Sequence, residues 1–102
     1  MLTIFFRQRG FVAMTKNEEV FYRALGQRIA ELRSARNLTQ QQLADALGLS
    51  QKTVGHYEVG RIRLQVSMLP PLAECLGVPI AALFDFLQRK AKGRTPRRPS
   101  DG

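Results

Sequence analysis

Between Asn17 and Leu87 apolar residues recur at spacings of three and four, and no stretch alternates at period two, so the region reads as helical throughout. Five helices follow. The first covers about Asn17–Arg36, where Phe21, Leu25, Ile29 and Leu32 form one stripe, Arg28 and Glu31 lie outside it and Asn37 is a stop. The second covers Gln40–Leu47. Thr39 caps it, Gln42 completes a capping box three residues on, and Gly48 stands where a left-handed residue ends a helix. Leu43, Ala44 and Leu47 form its buried face. The third covers Gln51–Val59, capped by Ser50 and ended by Gly60. The fourth covers about Pro70–Leu76, because two successive prolines fit only a first turn; Leu69, Leu72, Ala73 and Leu76 face inward and Gly77 ends it. The fifth covers Pro79–Arg89, with Ile80, Leu83, Phe84 and Leu87 as its core stripe. Phe86 falls on the other side, as an exposed accident or a dimer contact. The expected fold is all-α, a compact five-helix domain over residues 17–89, between an N-terminal extension (1–16) and a basic tail (90–102).

Charge changes this picture little within the domain and strongly outside it. The 102 residues carry +8, and a pI near 10.8 points toward a polyanion, either nucleic acid or an anionic membrane face. Residues 1–15 contribute +2 and residues 88–102 contribute +5, whereas residues 16–87 set eight bases against seven acids. A nucleic-acid surface must therefore come from how the core's few charges are placed. The tail KGRTPRRPSDG has almost no apolar residue and reads as disordered, either a solubilising tail or a weak, nonspecific phosphate contact. The front segment MLTIFFRQRGFVAM is too short to span a bilayer, is broken by Arg7, Arg9 and Gly10, and lacks the layout of a secretory signal, so no membrane partner is expected. It is either a start-site artefact, with Met14 as the initiator, or a short strand or dimer arm.

Cys75 is the single cysteine and His56 the single histidine, which excludes an internal disulfide framework and leaves too few ligands for a structural zinc site. Cysteine poverty fits a reducing interior, and Cys75 reads as core filling. No Ser/His/Asp set, carboxylate pair or phosphate-cradling glycine loop occurs, so neither an enzyme nor a cofactor is expected.

The second and third helices form the strongest pattern: two short helices joined by Gly48-Leu49-Ser50, a helix-turn-helix. Ala44 is small where the two would cross. At 100° per residue, Val54 and Tyr57 fall on one side of the third helix, and Gln51, Lys52, Gly55 and His56 on the other. Gln51 offers a donor and an acceptor suited to adenine N6 and N7, Lys52 donors suited to guanine O6 and N7, and His56 either. All three are placed near the helix N-terminus, where recognition helices meet bases. Gln40, at the start of the second helix, can offer its side chain and backbone amide to a phosphate; Arg61 and Arg63, just after the third, can grip the backbone. Each also has a plain alternative: solvated surface for Gln51, Lys52 and His56, loop charge for Arg61 and Arg63, a helix-start residue for Gln40.

LTQQQLADALGLSQKTVGHYEVGR, from Leu38 to Arg61, and LAECLGVPIAALF, from Leu72 to Phe84, resemble the phage repressor and Cro-type (XRE-type) helix-turn-helix family, and the likeness spans about 60 of the 102 residues, Leu25 to Phe84. The resemblance implies a five-helix, lambda-repressor-like domain that binds double-stranded operator DNA, usually as a homodimer. It implies base reading by Gln51, Lys52 and His56, phosphate binding by Gln40, backbone contacts from Thr53 and Arg61, and an ion pair between Arg33 and Glu58 that ties the first helix to the end of the third. Three features depart from the family: Gly55 at an outward position often held by a larger polar residue, Val59 before Gly60, and the apolar loop RIRLQVS with its double proline. The expected function is a sequence-specific transcriptional regulator, a repressor in the cytoplasm at the nucleoid. The alternative is an antitoxin-like interaction protein that binds a protein partner and regulates its own operon.

Overall fold

In the computed structural model residues 13–88 are described, and their order is α1 (Lys16–Ala35), α2 (Gln40–Leu47), α3 (Gln51–Glu58), a 3-10 turn (Val66–Met68), α4 (Leu69–Leu76) and α5 (Ile80–Leu83). Residues 85–88 are helical again after a turn at Phe84. Most of the N-terminal extension and the whole basic tail lie outside the described residues.

Local chemistry places the helix ends. Thr39 accepts from the Gln42 backbone at 3.0 Å and Gln42 returns a bond to Thr39 N at 2.8 Å, the reciprocal box expected there. The same device starts α1 one residue earlier than the apolar stripe suggests: Thr15 accepts from Glu18 N at 3.1 Å, and Glu18 accepts from Thr15 N at 2.9 Å. The first helix therefore begins at Lys16, inside the stretch assigned to the extension. Asn37 leaves α1 with φ at 60°. Gly48 takes φ 73°, which lets Leu49 N reach back to Ala44 O at 2.9 Å and turn the chain into α3. The fourth helix starts at Leu69, ahead of both prolines, on the 3-10 turn that precedes it.

One core joins every element. Leu25 and Ile29 of α1, Leu43 and Ala44 of α2 and Val54 of α3 meet Leu72, Ala73 and Leu76 of α4 and Leu83 of α5. Leu64 is buried among them, so the apolar character of the loop is used to anchor it. Burying Leu43 and Leu76, each 1% exposed, stabilises the fold by about 1.5–3 kcal/mol per side chain before the entropy of ordering is counted.

The C-terminal stripe differs from expectation. α5 ends at Leu83, and Phe84, at φ −108° and ψ 19°, breaks the helical rotation. The next residues come round in a new phase. Phe86 turns inward against Phe21 (5.9 Å between ring centroids, 60° between planes) and Phe84 (6.4 Å), while Ile80 and Leu87 are 42% and 45% exposed. Phe86 is thus part of an aromatic cluster, and neither Ile80 nor Leu87 belongs to the core stripe. Tyr57, read as core, is half-buried against it.

Candidate nucleic-acid interface

α3 is held by what it buries. Val54 is 1% exposed on its inner side. At the crossing with α1, Gly26 leaves no space: a Cβ there would lie 2.1 Å from the Tyr57 carbonyl oxygen and 2.6 Å from that of Glu58. The backbones pack directly, which fixes the roll of α3. Gly60 completes the exit from α3 at φ 75°, with the Arg23 backbone so near that a Cβ would come within 2.6 Å of Arg23 Cα.

Beneath α3 runs a chain of charged and amide groups. Arg33 Nε donates to Glu58 Oε2 at 2.6 Å and Arg33 Nη2 to Glu58 Oε1 at 3.2 Å, while Arg33 Nη1 donates to Leu38 O at 2.6 Å. The Glu58 side chain is only 5% exposed. Gln40 Nε2 donates to Glu58 Oε1 at 2.8 Å, and Gln40 Oε1 accepts from Gln51 Nε2. A carboxylate only accepts. Glu58 therefore draws the NH2 of Gln40, the Gln40 oxygen faces Gln51, and Gln51 must answer with its own NH2. Gln51 is left with its oxygen and one amide hydrogen to offer outward. The ion pair expected between Arg33 and Glu58 is thus the root of a relay that ends at the exposed face.

The outward face separates the expected residues. Gln51 and Lys52 are exposed in the first turn of α3. His56, half-exposed, lies in the last turn of this eight-residue helix rather than near its N-terminus, one turn away from the other two. Thr53 is half-buried; its hydroxyl shares a hydrogen bond of 2.9 Å with Ser50 Oγ. Arg61 is exposed, and its backbone N–H donates to His56 O at 2.9 Å.

Two residues assigned to phosphate are engaged inside the chain. Both ends of the Gln40 amide are in the relay. Arg63 grips Glu18 with two bonds of 3.1 Å, Nε to Oε2 and Nη2 to Oε1, and so ties the loop after α3 to the first turn of α1. That guanidinium, with the Thr15 backbone N–H, holds the Glu18 carboxyl down at about 2 from its ordinary 4.5. The partners are 45 positions apart, and no local pattern announces the pair.

Gly26 is the site-building residue that reading by stripe alone passes over, although a glycine inside a long helix costs about 0.5–1 kcal/mol relative to alanine and so signals a close approach. Among the described residues Gly55 is the other glycine inside a helix, and its surroundings are the reverse. A Cβ there would meet only the Gln40 amide, at 3.7 Å and 3.8 Å, an ordinary contact.

A profile described as a helix-turn-helix domain matches residues 24–87. Over 65 residues the chain is 40% identical to an uncharacterized transcriptional regulator in the ATPase CF(0) region of Rhodospirillum rubrum, covering 64% of this chain and 60% of that protein. The chain thus spans less than two thirds of that relative's length. The restriction-modification controller protein C.AhdI from Aeromonas hydrophila superposes with a TM-score of 0.61 at 34% identity, over 64% of this chain and 98% of that one. PlcR from Bacillus thuringiensis, crystallised with the peptide PapR7 and DNA, superposes with a TM-score of 0.55 at 31% identity, over 61% of this chain and 22% of that one. Among the described residues no helix is long and apolar enough to cross a membrane.

Proposed function

Because the chain belongs to the helix-turn-helix domain family, of the phage repressor and Cro type, we propose that it is a sequence-specific DNA-binding regulator of transcription, a repressor that lays α3 in the major groove. One observation carries this. α3 is locked on its inner side by Val54, Glu58 and the Gly26 crossing, and the only amide on its outer first turn is oriented from within. Gln51 then presents an acceptor and a donor side by side, the pair that adenine N6 and N7 require. Lys52 beside it suits guanine, and His56 reaches a base further along the groove.

Phosphates position the domain. Thr53 and Arg61 are assigned to the DNA backbone. Gln40 gives one Nε2 hydrogen to Glu58 and keeps the other, with its main-chain N–H at the start of α2, for a phosphate. Arg63 reaches a phosphate from the loop that its bond to Glu18 steadies. Single DNA-binding modules bury about 600–1,000 Å², so strong selectivity requires two copies on half-sites about 34 Å apart. A homodimer on double-stranded DNA in the cytoplasm follows from this reading. PlcR, a structural relative, was crystallised with DNA, and the relative from Rhodospirillum rubrum is a transcriptional regulator.

Selection of bound fragments from a random duplex pool, at stated salt, tests the proposal. The expected result is a two-fold symmetric consensus whose affinity falls steeply as salt rises. No enrichment, or binding indifferent to salt, sinks it.

A further inference from the structure

We propose that Arg23, on α1, is a phosphate-binding residue: with Arg61 it forms a two-guanidinium clamp on one phosphate of the DNA backbone, beside the groove that α3 enters. This rests on the DNA-binding reading and adds to it a contact from outside the helix-turn-helix. Six arginines stand among the described residues. Three are engaged inside the fold: Arg28 with Glu31 and Asp85, Arg33 with Glu58, and Arg63 with Glu18. Arg23, Arg36 and Arg61 are exposed and form no ion pair among the described residues. Arg36 follows the far end of α1, against Gly77, about 20 Å along the helix from Arg23. Arg23 and Arg61 are instead neighbours in space.

Gly60 makes them so. A Cβ there would lie 2.6 Å from Arg23 Cα and 2.7 Å from Arg23 N, so the two main chains touch, and the residue after Gly60 is Arg61. Both arginines line one open notch of about 510 Å³ with Glu19, Val59 and Gly60, which leaves room for a phosphate group and its waters. Val59 has no polar side-chain atom. Glu19, one turn before Arg23, forms no ion pair with either guanidinium. Two like charges on one notch, with no carboxylate bonded to either, repel each other, and an anion shared between them relieves that repulsion. The notch is also where a phosphate passes on the DNA-binding reading. The eight residues of α3 span about 12 Å, close to the width of the major groove, so a helix seated there brings its exit at Gly60 within reach of the bordering strand. The helix-turn-helix match begins at residue 24, so Arg23 lies outside it.

The test pairs one guanidinium with one phosphate. Arg23→Ala is expected to bind selected and random duplexes alike roughly fivefold more weakly at physiological salt, the effect of releasing about one counterion fewer, and to reduce the slope of log affinity against log salt by about 0.9. Arg23→Lys should keep that slope, and Arg36→Ala, the control for net charge, should bind within about twofold of wild type. All three should melt with the wild-type protein, because these side chains are exposed. The selected duplex is then remade with one neutral methylphosphonate linkage at a time, which removes a single backbone charge and leaves every base. Wild-type protein should lose roughly fivefold at a linkage where Arg23→Ala and Arg61→Ala each lose less than about twofold. Arg23→Ala binding as wild type, a loss matched by Arg36→Ala, a loss confined to certain base sequences, or a lowered melting temperature would each overturn the assignment. A wild-type protein that selects no duplex defeats the DNA-binding reading and this assignment with it. Selection without coupling between Arg23 and any linkage defeats the assignment alone.

Discussion

The inner flank of α3 and its outer flank are built from the same eight residues, yet they differ in how many neighbours hold each position. Inside, Val54 is enclosed by the core, Glu58 is bonded by Arg33 and Gln40, and the Gly26 crossing admits no further atom. Outside, Gln51 is tied at its amide, Lys52 is exposed, and a Cβ at Gly55 would meet the Gln40 amide alone, at ordinary contact distance. Substitution on the inside should be read as lost stability, and on the outside as changed recognition. The two glycines make the contrast sharpest, since one residue type serves a backbone contact at one place and leaves room at the other.

The largest test of this contrast is Glu58→Ala. It strands the Arg33 guanidinium, whose side chain is 16% exposed, without its carboxylate, and should lower stability by about 3–5 kcal/mol. Thermal or urea denaturation reads it; a loss below 1 kcal/mol would mean that water reaches Arg33 freely. Next is Gly26→Ala, expected to cost about 3 kcal/mol because neither backbone at the crossing can yield without the other. Measured beside Gly55→Ala, it should be the only one of the two that melts lower.

Gln51→Ala should do the opposite. Melting should stay within about 0.5 kcal/mol of wild type, while affinity for the selected duplex falls by about 1–3 kcal/mol and preference relaxes at one base position. Equal loss on all duplexes would reassign Gln51 to the DNA backbone. Arg63→Ala should weaken selected and random DNA alike, through a displaced loop and a lost phosphate contact, with little change in melting because the ion pair is half-exposed. A changed base preference would contradict that.

The smallest expected effect is in acid. Glu18 titrates near 2 in the folded chain against an ordinary 4.5, so the folded state favours its charged form. Its contribution is present above about 4.5 and fades as pH falls toward 2. Glu18→Gln should flatten the stability profile in that window alone; an unchanged profile would mean the pair with Arg63 breaks readily in solution.

How much of this was legible in the amino-acid sequence depends on how far apart the partners stand. Thr39, Gln42 and Gly48 lie within ten positions and specify both ends of α2 locally. The outward placement of Gln51 and Lys52 follows from helix rotation once Val54 is recognised as buried. Thr15 and Glu18 carry the same local signal as Thr39 and Gln42, but they precede the first core residue, so the apolar stripe passes over them. Phe86 and Leu87 exchange places because one turn at Phe84 resets the phase, and a uniform helix over Pro79–Arg89 hides such a break. The engagement of Gln40 by Glu58 and Gln51, and of Arg63 by Glu18, spans helices and belongs to tertiary geometry that no window of sequence contains.

The carboxylate of Glu58, nearly sealed from solvent, has one effect that reaches the surface. An amide is almost symmetric in shape, and a glutamine on a helix can present its two ends in either order at little cost. Here an anion that can never donate breaks that symmetry two side chains away, so the outermost amide has a fixed polarity before any partner arrives. Exchanging a single buried oxygen for nitrogen, as in Glu58→Gln, would release that polarity and, on the proposed function, blur the distinction between purines with no atom altered on the outer face.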